Sequence, residues 1–331
     1  MSMWKKEFFN TYFNANSTEN EINNVLEMKN INIPPFLFKY TNTNHINDLL
    51  INNLIYLPKI TDLNDPFEGN VLHDLDIQAN KYLRFLFKRM GYKPREKWDS
   101  NFDKTKAIDG LARRFNLNTV DEKDNRLSDD EILSPIISID FMKRIRKHMV
   151  NAEKPFVKEL YSELSKQYKE NTKLLCLTTS NTNNSMWANY ANEHKGICIK
   201  YDTQKFGRDL MDNCFPVFYD NSNFTDEVEI ESLSEMEKKL HIKTFLKKST
   251  DWRCEDEWRV ILPTNILKDC ETYYPSNGKD YLNLTPESVY LGKNIDKIYR
   301  NLIIEICDNK HIEIYQMKQL DTQYELDEER L

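Results

Sequence analysis

Three charged residues at alternate positions, Glu255, Glu257 and Arg259, lie in the segment WRCEDEWRV at residues 252–260. On a β-strand, residues two apart point to the same face, so these three side chains would share one surface. A carboxylate held by an arginine stays ionised, and a second carboxylate nearby can orient or accept a proton. The segment therefore predicts an acid–base site, although a solvated edge strand with a cross-strand ion pair is typical of the same pattern.

The segment FLFKYT at residues 36–41 has the aromatic and apolar composition of a β-strand. Its alternation would place Lys39 and Thr41 on one face and Tyr40 on the other. A lysine next to a tyrosine on a first strand can bind a phosphate or a ribose, whereas on an edge strand the same lysine would only be solvated. The three residues are candidates for ligand contacts.

The segment SMWANY at residues 185–190 places Trp187 and Tyr190 three positions apart, which brings both rings to one face of a helix. Ser185 is a candidate N-cap for that helix. An aromatic pair of this kind either fills the core or forms a wall on which a flat ligand ring stacks. The sequence leaves both interpretations open.

The segment LNDPFEG at residues 63–69 has the composition of a tight turn that ends a strand. Its two acids, Asp65 and Glu68, would follow the second strand of the fold. We interpret the turn as the rim of a cleft, in which these acids face a ligand or brace a basic residue such as Lys39 or Arg259.

These candidate residues depend on helices and strands that the rest of the chain must supply. Helices are predicted at 18–29, behind a capping box of Thr18 and Glu21, at 229–249 and at 296–306. Strands are predicted at FLFKYT, LIYLP, KLLCLTTS, GICIKYD, CFPVFYD, EWRVILP, YLNLT, SVYLG and HIEIYQMK. The expected fold is α+β, with short mixed or antiparallel sheets around a cleft.

The composition changes between residues 75 and 170, where charged, helix-favouring residues dominate and FVKELYSELSKQYKE shows apolar residues at helical spacing. We therefore expect three regions. They are an N-terminal helical segment at 1–30, an α+β core from 31–74 and 171–331, and a helical insertion at 75–170.

The composition also excludes several classes of protein. A net charge of −7 over 331 residues argues against a protein that mainly coats nucleic acid, although a local basic patch is compatible with it. The seven glycines lie too far apart to form a phosphate-binding loop, which excludes P-loop and Rossmann sites. Any nucleotide must be held in another way.

The six cysteines are scattered and form no CxxC pair, so no metal site is expected and the thiols are predicted to be reduced. No segment approaches the roughly 20 consecutive apolar residues of a membrane span, and the N-terminal segment lacks the apolar stretch of a signal peptide. We expect a cytoplasmic protein that does not bind membranes.

Taken together, five segments resemble a large bacterial family of proteins of unknown function, the family numbered twenty-nine seventy-one. They are LFKYT, LPKITDLNDPFEG, SMWANYANEHKGICIKYD, CEDEWRVI and VYLGKNID, in that order. The resemblance extends from about residue 36 to about residue 325 and is weakest in the helical block. The family itself implies no reaction.

The order of the motifs is also similar to that of ADP-ribosyltransferases. In that fold a first strand carries a cation, a tyrosine and a threonine, and a late strand carries Glu-x-Glu. NAD lies in a cleft between short sheets and needs no glycine-rich loop. The resemblance implies that Lys39 and Thr41 contact the nicotinamide ribose or amide, and that Tyr40 or Tyr190 stacks on nicotinamide.

The same resemblance implies that Glu257 accepts a hydrogen bond from the ribose 2′-hydroxyl and stabilises an oxocarbenium ion, while Glu255 positions the acceptor. The chain departs from the family pattern in two places. Lys39 stands where a histidine or arginine is usual, and only LTTS at 177–180 could replace the Ser-Thr-Ser strand of one subclass.

The sequence is compatible with three functions. The first is an enzyme that cleaves NAD as substrate and transfers ADP-ribose, as a toxin or anti-phage effector whose partner is a macromolecular acceptor, an antitoxin or a defence protein. The second is a non-catalytic module that senses a nucleotide or binds a protein. The third is a metal-dependent nuclease, which the net charge disfavours. The catalytic candidates are Glu257 and Glu255, and the ligand-binding candidates are Lys39, Tyr40, Thr41, Asp65, Glu68, Trp187, Tyr190 and Arg259.

Overall fold

The computed structural model describes residues 2–14, 17–65, 67–70, 75–79, 82, 109, 112–113, 118–128, 131–132, 139–221 and 233–331. For residues 139–146 and 233–239 the backbone is described and the side chains are not. The chain divides into two compact units. The first comprises Met1–Leu72, Glu163–Val228 and Ser234–Leu331, and the second comprises His73–Ser162 and Glu229–Leu233.

The helices and strands confirm an α+β fold. Among the described residues the helices are α1 Met3–Tyr12, α2 Glu19–Ile31, α3 Ile139–Glu170, α4 Asn184–Tyr190, α5 Arg208–Asp212, α6 Leu233–Leu246, α7 Thr264–Asp269 and α8 Lys297–Lys310. The strands there are β1 Phe36–Thr41, β2 Leu54–Tyr56, β3 Thr172–Thr178, β4 Ile197–Asp202, β5 Cys214–Pro216, β6 Phe218–Tyr219, β7 Lys247–Lys248, β8 Glu257–Pro263, β9 Tyr273–Ser276, β10 Lys279–Asn283, β11 Ser288–Leu291, β12 Glu313–Gln319 and β13 Leu326–Arg330.

A large mixed sheet forms the centre of the first unit. Within the described residues its eight strands follow the order β13-β12-β11-β4-β1-β3-β8-β5, and two small sheets have the orders β2-β10-β9 and β6-β7. β1 lies between β4 and β3, and β8 lies between β3 and β5, so both strands are interior. The alternative in which FLFKYT and EWRVILP are solvated edge strands is therefore wrong.

The large sheet opens between β1 and β3. β1 pairs with β4 along its whole length, from Phe36 opposite Asp202 to Thr41 opposite Ile197. With β3 it pairs at a single position, Phe38 opposite Thr178. Because the two strands pair at one position only, they leave space between them, and this opening contributes to the candidate site.

The two faces of β8 differ as the alternation in EWRVILP predicts. Trp258, Val260 and Leu262 belong to the main buried apolar cluster of the unit. Glu257 and Arg259 point to the other face, and both are also buried. The strand therefore separates an apolar core from a buried charged cluster.

The first unit begins with two helices, the aromatic-rich α1 and the capped α2. The predicted capping box is present at α2, where the Thr18 hydroxyl accepts a hydrogen bond from the Glu21 amide at 3.3 Å and the Glu21 carboxylate accepts one from the Thr18 amide at 2.7 Å. In α1, Phe8 is buried and stacks 6.3 Å from Phe218. Burial of this ring attaches the N-terminal helix to the sheet.

The second unit is described mainly through the part of α3 at 139–162 and the segment 118–128, and the last residues of α3, 163–170, belong to the first unit. Val120 pairs with Arg126 in an isolated β-bridge. The buried Tyr161 hydroxyl donates to the Gln78 side chain at 2.8 Å. The helix predicted in FVKELYSELSKQYKE is confirmed as the C-terminal half of α3, whereas the segments QANKYLRFLFKRM and KAIDGLARRF lie largely outside the described residues.

Candidate functional site

A cavity of about 260 Å³ lies in the first unit. Its walls come from β1, β3, β8 and α4, from the segment that follows β2, and from Lys248 and Glu255. Lys39, Tyr190 and Glu257 all line it, although they are up to 218 positions apart in the sequence (257 − 39). Glu68 lines it as well, so the folded chain brings all four candidate segments to one cavity.

Arg259 forms the centre of the charged cluster. Its guanidinium binds Glu257 through Nε at 2.8 Å and Nη2 at 2.9 Å. On its other side it binds Glu68 through Nη1 at 2.5 Å and Nη2 at 2.8 Å. The remaining N–H of Nη1 donates to the Phe245 carbonyl at 2.6 Å. All five guanidinium donors are used, so Arg259 holds two carboxylates in fixed orientations.

Glu68 therefore has the bracing role that its position in LNDPFEG suggested. Its two oxygens form a bidentate pair with Arg259, and its side chain is 3% exposed. This pair fastens the segment after β2 to strand β8. Because both groups are buried, removing one partner would leave a charge unpaired inside the protein.

Lys248 connects Glu255 and Glu257, two acids of the segment WRCEDEWRV. Its Nζ lies 2.6 Å from Glu255 Oε2 and 3.3 Å from Glu257 Oε2. Its side chain is 4% exposed, and the ammonium also lies 4.9 Å from the centre of the Trp252 ring. No sequence pattern indicated these contacts, because Glu255 and Glu257 lie seven and nine positions after Lys248. That separation is larger than the repeat of a strand or of one helical turn.

Glu255 lies at the cavity but is not on the strand. It ends a 3-10 helix, Thr250–Glu255, and the next residue, Asp256, has a left-handed backbone with φ of 39°. The expectation that Glu255, Glu257 and Arg259 alternate on one strand is therefore wrong for Glu255. A period of two does not apply where the backbone turns, and aspartate is one of the few residues that tolerate this conformation.

Two threonines stabilise this turn. The Thr178 hydroxyl donates to the Glu255 carbonyl at 2.5 Å, and the Thr179 hydroxyl donates to the Asp256 carboxylate. Both belong to the segment LTTS, which therefore acts on the backbone of the acidic motif. At the start of β8, the Glu257 amide donates to the Tyr219 hydroxyl at 2.8 Å.

Tyr190 reaches the second oxygen of Glu255. Its hydroxyl donates to Glu255 Oε1 and accepts a hydrogen bond from Asn64 Nδ2 at 2.7 Å. Both oxygens of Glu255 thus have donors, one neutral and one charged. The same contacts connect α4 with the segment after β2, across the carboxylate.

The two neighbouring carboxylates differ in their affinity for protons. Burial would raise the pKa of Glu257, but the charges of Arg259 and Lys248 outweigh it and lower that pKa to about 2. Burial and the charge of Glu257 raise the pKa of Glu255, against the opposing effects of Lys248 and Tyr190. Glu257 is therefore the ionised member of the pair at neutral pH, and Glu255 is the member that binds a proton more readily.

Lys39 lines the cavity at the opening between β1 and β3. Its Nζ donates to the Cys176 carbonyl at 3.1 Å, and among the described residues no carboxylate oxygen lies within 4.0 Å of it. The Cys176 thiol also lines the cavity. Burial and the nearby Glu257 raise the pKa of this thiol to about 12, so it stays protonated and is a poor nucleophile.

Three of the ligand-binding candidates do not line the cavity. Trp187 is fully buried, donates its indole N–H to the Asn181 carbonyl at 2.7 Å and packs edge-on against Tyr40 at 5.1 Å. It therefore fills a core cluster rather than forming a ligand wall. Thr41 pairs with Ile197 of β4, away from the cavity lining.

Asp65 is the third residue that differs from expectation. Its Oδ1 accepts a hydrogen bond from the Phe67 amide at 2.9 Å, and its carbonyl accepts one from the Glu68 amide at 3.1 Å. Asp65 thus shapes the turn that presents Glu68, as the turn interpretation predicted, and does not face a ligand. Phe67, the aromatic residue of this turn, is 67% exposed and so does not anchor the turn in the core.

Two further details differ from the sequence analysis. Tyr40 lines the cavity, but its hydroxyl donates to the Ser180 carbonyl at 2.9 Å, so that group is already engaged. The N-cap of α4 is Asn183 rather than Ser185. The Asn183 Oδ1 accepts hydrogen bonds from the backbone amides of Ser185 at 2.9 Å and Met186 at 3.2 Å. Asparagine two positions earlier satisfies the same helix end.

The described part of the chain contains no group of three or more histidine, cysteine, aspartate or glutamate residues arranged to hold a metal ion. The acids at and near the cavity have other partners. Glu68 and Glu257 bind Arg259, Glu255 binds Lys248 and Tyr190, and Asp65 binds the turn backbone. None of the helices described is both long and apolar enough to cross a bilayer.

Comparison with known proteins matches residues 186–260 to a family model described as "Protein of unknown function (DUF2971)". The predicted resemblance to that family is confirmed in this segment, which contains Tyr190, Lys248, Glu255, Glu257 and Arg259. No curated protein and no solved structure matches the chain. The resemblance to ADP-ribosyltransferases stays a prediction.

Proposed function

We propose that the cavity binds a nicotinamide nucleotide such as NAD and that the protein cleaves its nicotinamide–ribose bond, transferring ADP-ribose to an acceptor or to water. One observation carries this proposal. Two adjacent carboxylates at the cavity have pKa values displaced in opposite directions, Glu257 downward and Glu255 upward. Environments that separate two acids in this way are typical of sites that assign them different roles in glycosidic chemistry.

The cavity is lined by charges of both signs, which suits this substrate. Glu68, Glu255 and Glu257 face two cations, Lys248 and Arg259, which leaves one excess negative charge when all are ionised (3 − 2). Lys39, the further cation at the cavity, binds only a carbonyl in the described contacts. A nicotinamide nucleotide likewise combines a cationic ring with anionic phosphates, so a cavity that carries charges of both signs can attract both parts of it.

The size of the cavity limits which part of the nucleotide it takes. Sites that enclose drug-sized ligands commonly measure about 300–1,000 Å³, and this cavity measures about 260 Å³. It would enclose the reacting nicotinamide–ribose end and leave the adenosine outside. Phe38 and Tyr190 supply aromatic surface among the lining residues.

In the proposed reaction Glu257 and Glu255 have separate roles. Bond cleavage develops positive charge on the ribose, and an ionised carboxylate that is already oriented stabilises that charge without reorganisation. Glu257, held by Arg259, meets this requirement. Glu255 would accept the proton of the attacking hydroxyl or water, because its raised pKa places it closer to neutral pH.

The proposal is tested by incubating the purified chain with NAD and following nicotinamide and ADP-ribose, free or attached to protein, by mass spectrometry. We expect product from the wild type and a rate lower by roughly 10²–10⁴-fold for Glu255→Gln, which removes the proton acceptor. Glu287→Gln is the matched control, because Glu287 pairs with Lys205 at 2.5 Å on the surface. Equal rates for Glu255→Gln and Glu287→Gln would contradict the proposal.

A second candidate function has its own supporting observation. Both oxygens of Glu257 already accept hydrogen bonds from Arg259, and Oε2 lies near Lys248 as well. A carboxylate engaged in this way also suits a non-catalytic module that senses a nucleotide. Stoichiometric binding of NAD by calorimetry, with no nicotinamide released over hours, would favour this module over the enzyme.

The proposed enzyme would act as a toxin or an anti-phage effector in a bacterial cell, since loss of NAD or modification of a macromolecule stops growth. Expression of the wild type in a bacterial host should then reduce colony formation, and Glu255→Gln should restore it. Wild-type growth at equal protein level would argue against this role and leave the in vitro assay to decide the chemistry.

A further inference from the structure

Lys248 occupies a position that the proposed reaction does not explain. It lies on the two-residue strand β7, whose partner in the small sheet is β6. Its neighbour Lys247 points elsewhere and pairs with Asp220 at 3.3 Å. Lys248 instead places its ammonium against both Glu255 and Glu257, at 2.6 and 3.3 Å. It is the direct ionic link between the two acids.

The environment of this ammonium explains why such a link is needed. Two carboxylates close together repel each other, and one of them takes up a proton unless a cation lies between them. Arg259 contacts Glu257 and Glu68 in the described structure, so Lys248 is the cation that contacts Glu255. The other charged or titratable groups that face the pair are Tyr190 from α4, Cys176 from β3, Tyr219 from β6 and Glu68 from the segment after β2.

We propose that Lys248 is a positioning residue that sets the charge state of the Glu255–Glu257 pair and thereby the pH range in which the site works. This inference deepens the proposed function and rests on it for its consequence in catalysis. The direct effect on the carboxylates stands on the geometry alone. Trp252 assists, since its ring lies 4.9 Å from the ammonium and restricts where the lysine can go.

The first experiment measures protonation and does not depend on turnover. The side-chain carboxyl carbons of glutamate are labelled with ¹³C, and the Glu255 signal is assigned by its loss in Glu255→Gln. In Lys248→Met we expect the midpoint of the Glu255 titration to move to higher pH by about one unit or more, because an opposite charge within hydrogen-bonding distance is removed. Lys248→Arg, which keeps the charge, should recover at least part of the shift.

Lys247→Met is the matched control. It is the same substitution on the same strand, and it removes an ion pair with Asp220 that does not touch the two acids. Its Glu255 titration should coincide with that of the wild type. A Glu255 midpoint that is the same in Lys248→Met and Lys247→Met would overturn the proposal.

A double-mutant cycle covers the case in which Lys248→Met folds poorly. Lys248→Met, Glu255→Gln and the double variant are compared by denaturant unfolding at pH 7 and at pH 4. If the two residues act as one charged pair, the double variant is more stable at pH 7 than the sum of the single effects predicts, and this non-additivity falls at pH 4. Additive effects at both pH values would contradict a charge-setting role.

The catalytic consequence is measured last, from the pH profile of NAD cleavage. In Lys248→Met the acidic limb of kcat/KM should move to higher pH in parallel with the Glu255 titration, whereas a purely structural role would lower the rate at every pH equally. A wild type without NAD cleavage would refute the proposed function, while the titration would still decide the role of Lys248. Cleavage with an unmoved acidic limb would refute only the inference on Lys248.

Discussion

The two faces of strand β8 are built from alternate residues of one segment and yet follow opposite physical rules. Trp258, Val260 and Leu262 enter the apolar core, where burial itself is favourable. Glu257 and Arg259 are buried equally well on the other side, where each charge loses its hydration. Apolar residues of similar volume would often be as stable or more stable there. The charged face is thus better explained by a function than by stability.

The largest effect that separates the two faces is expected from Arg259→Met. This change leaves Glu68 and Glu257 buried without their shared partner, and breaking such a pair typically costs about 3–5 kcal/mol. Urea unfolding at pH 7 measures it. Arg330→Met is the control, since Arg330 pairs with Glu313 at 2.8 Å on the surface and should change stability by about 0–1 kcal/mol. Similar losses for both variants would contradict the structure of the cluster.

On the apolar face we expect Leu262→Ala to cost about 2–4 kcal/mol, because it leaves a cavity next to the buried cluster. This loss should not depend on pH, since no charge is involved. Unfolding at pH 7 and at pH 4 should therefore give the same difference from the wild type. A difference that grows or vanishes with pH would show that the two faces are not independent.

The pH dependence of stability should come from the charged face. The pKa of Glu257 is lowered to about 2 in the folded chain, so the stability it contributes is complete above its ordinary pKa and is lost as the pH falls from about 4.5 toward 2. A loss of about 2–3 kcal/mol is expected over that interval. The pKa of Glu255 is raised, so its ionisation lowers the free energy of unfolding only as the pH rises above its ordinary pKa.

Two variants test whether this pH dependence arises from the charged face of β8. Leu262→Ala should keep the acid-dependent loss of the wild type, because its charged face is intact. Arg259→Met should show a smaller loss, since the cation that lowers the pKa of Glu257 is gone. Parallel pH profiles for all three proteins would mean that the acid sensitivity arises elsewhere in the chain.

The smallest effect is expected from Tyr190→Phe, which removes one neutral donor from Glu255. A single hydrogen bond contributes about 0.5–1.5 kcal/mol, and the pKa of Glu255 should rise because that bond favours its ionised form. Unfolding and the ¹³C titration measure the two effects. Tyr315→Phe is the control, because its hydroxyl donates to the exposed Glu313 at 3.0 Å and should leave Glu255 unchanged.

The sequence predicted most of the elements of the first unit because their signals are local. The capping box at Thr18 and Glu21 marked the start of α2, and the alternation in EWRVILP correctly assigned both faces of β8. The weaker signals were missed. The C-terminal strand Leu326–Arg330 has four charged residues in succession, and it is a strand because it pairs with β12.

The candidate site was predicted less completely than the fold. Glu255 reaches the cavity from a left-handed turn at Asp256, which no two-residue period can show. Lys248 reaches it because strands β6 and β7 pair in space, with Phe218 opposite Lys247, 29 positions away in the sequence (247 − 218). Contacts of this kind depend on tertiary packing, so single-sequence patterns contain no signal for them.

The opening between β1 and β3 has a consequence for how the cavity could admit a ligand. Beyond Phe38 and Thr178, the Cys176 carbonyl accepts its hydrogen bond from the Lys39 ammonium. A ligand that enters there competes with one flexible side chain, at a net cost of about 1 kcal/mol, and not with a ladder of main-chain bonds. Such a ligand leaves the main-chain pairing of β1 with β4 and of β3 with β8 intact.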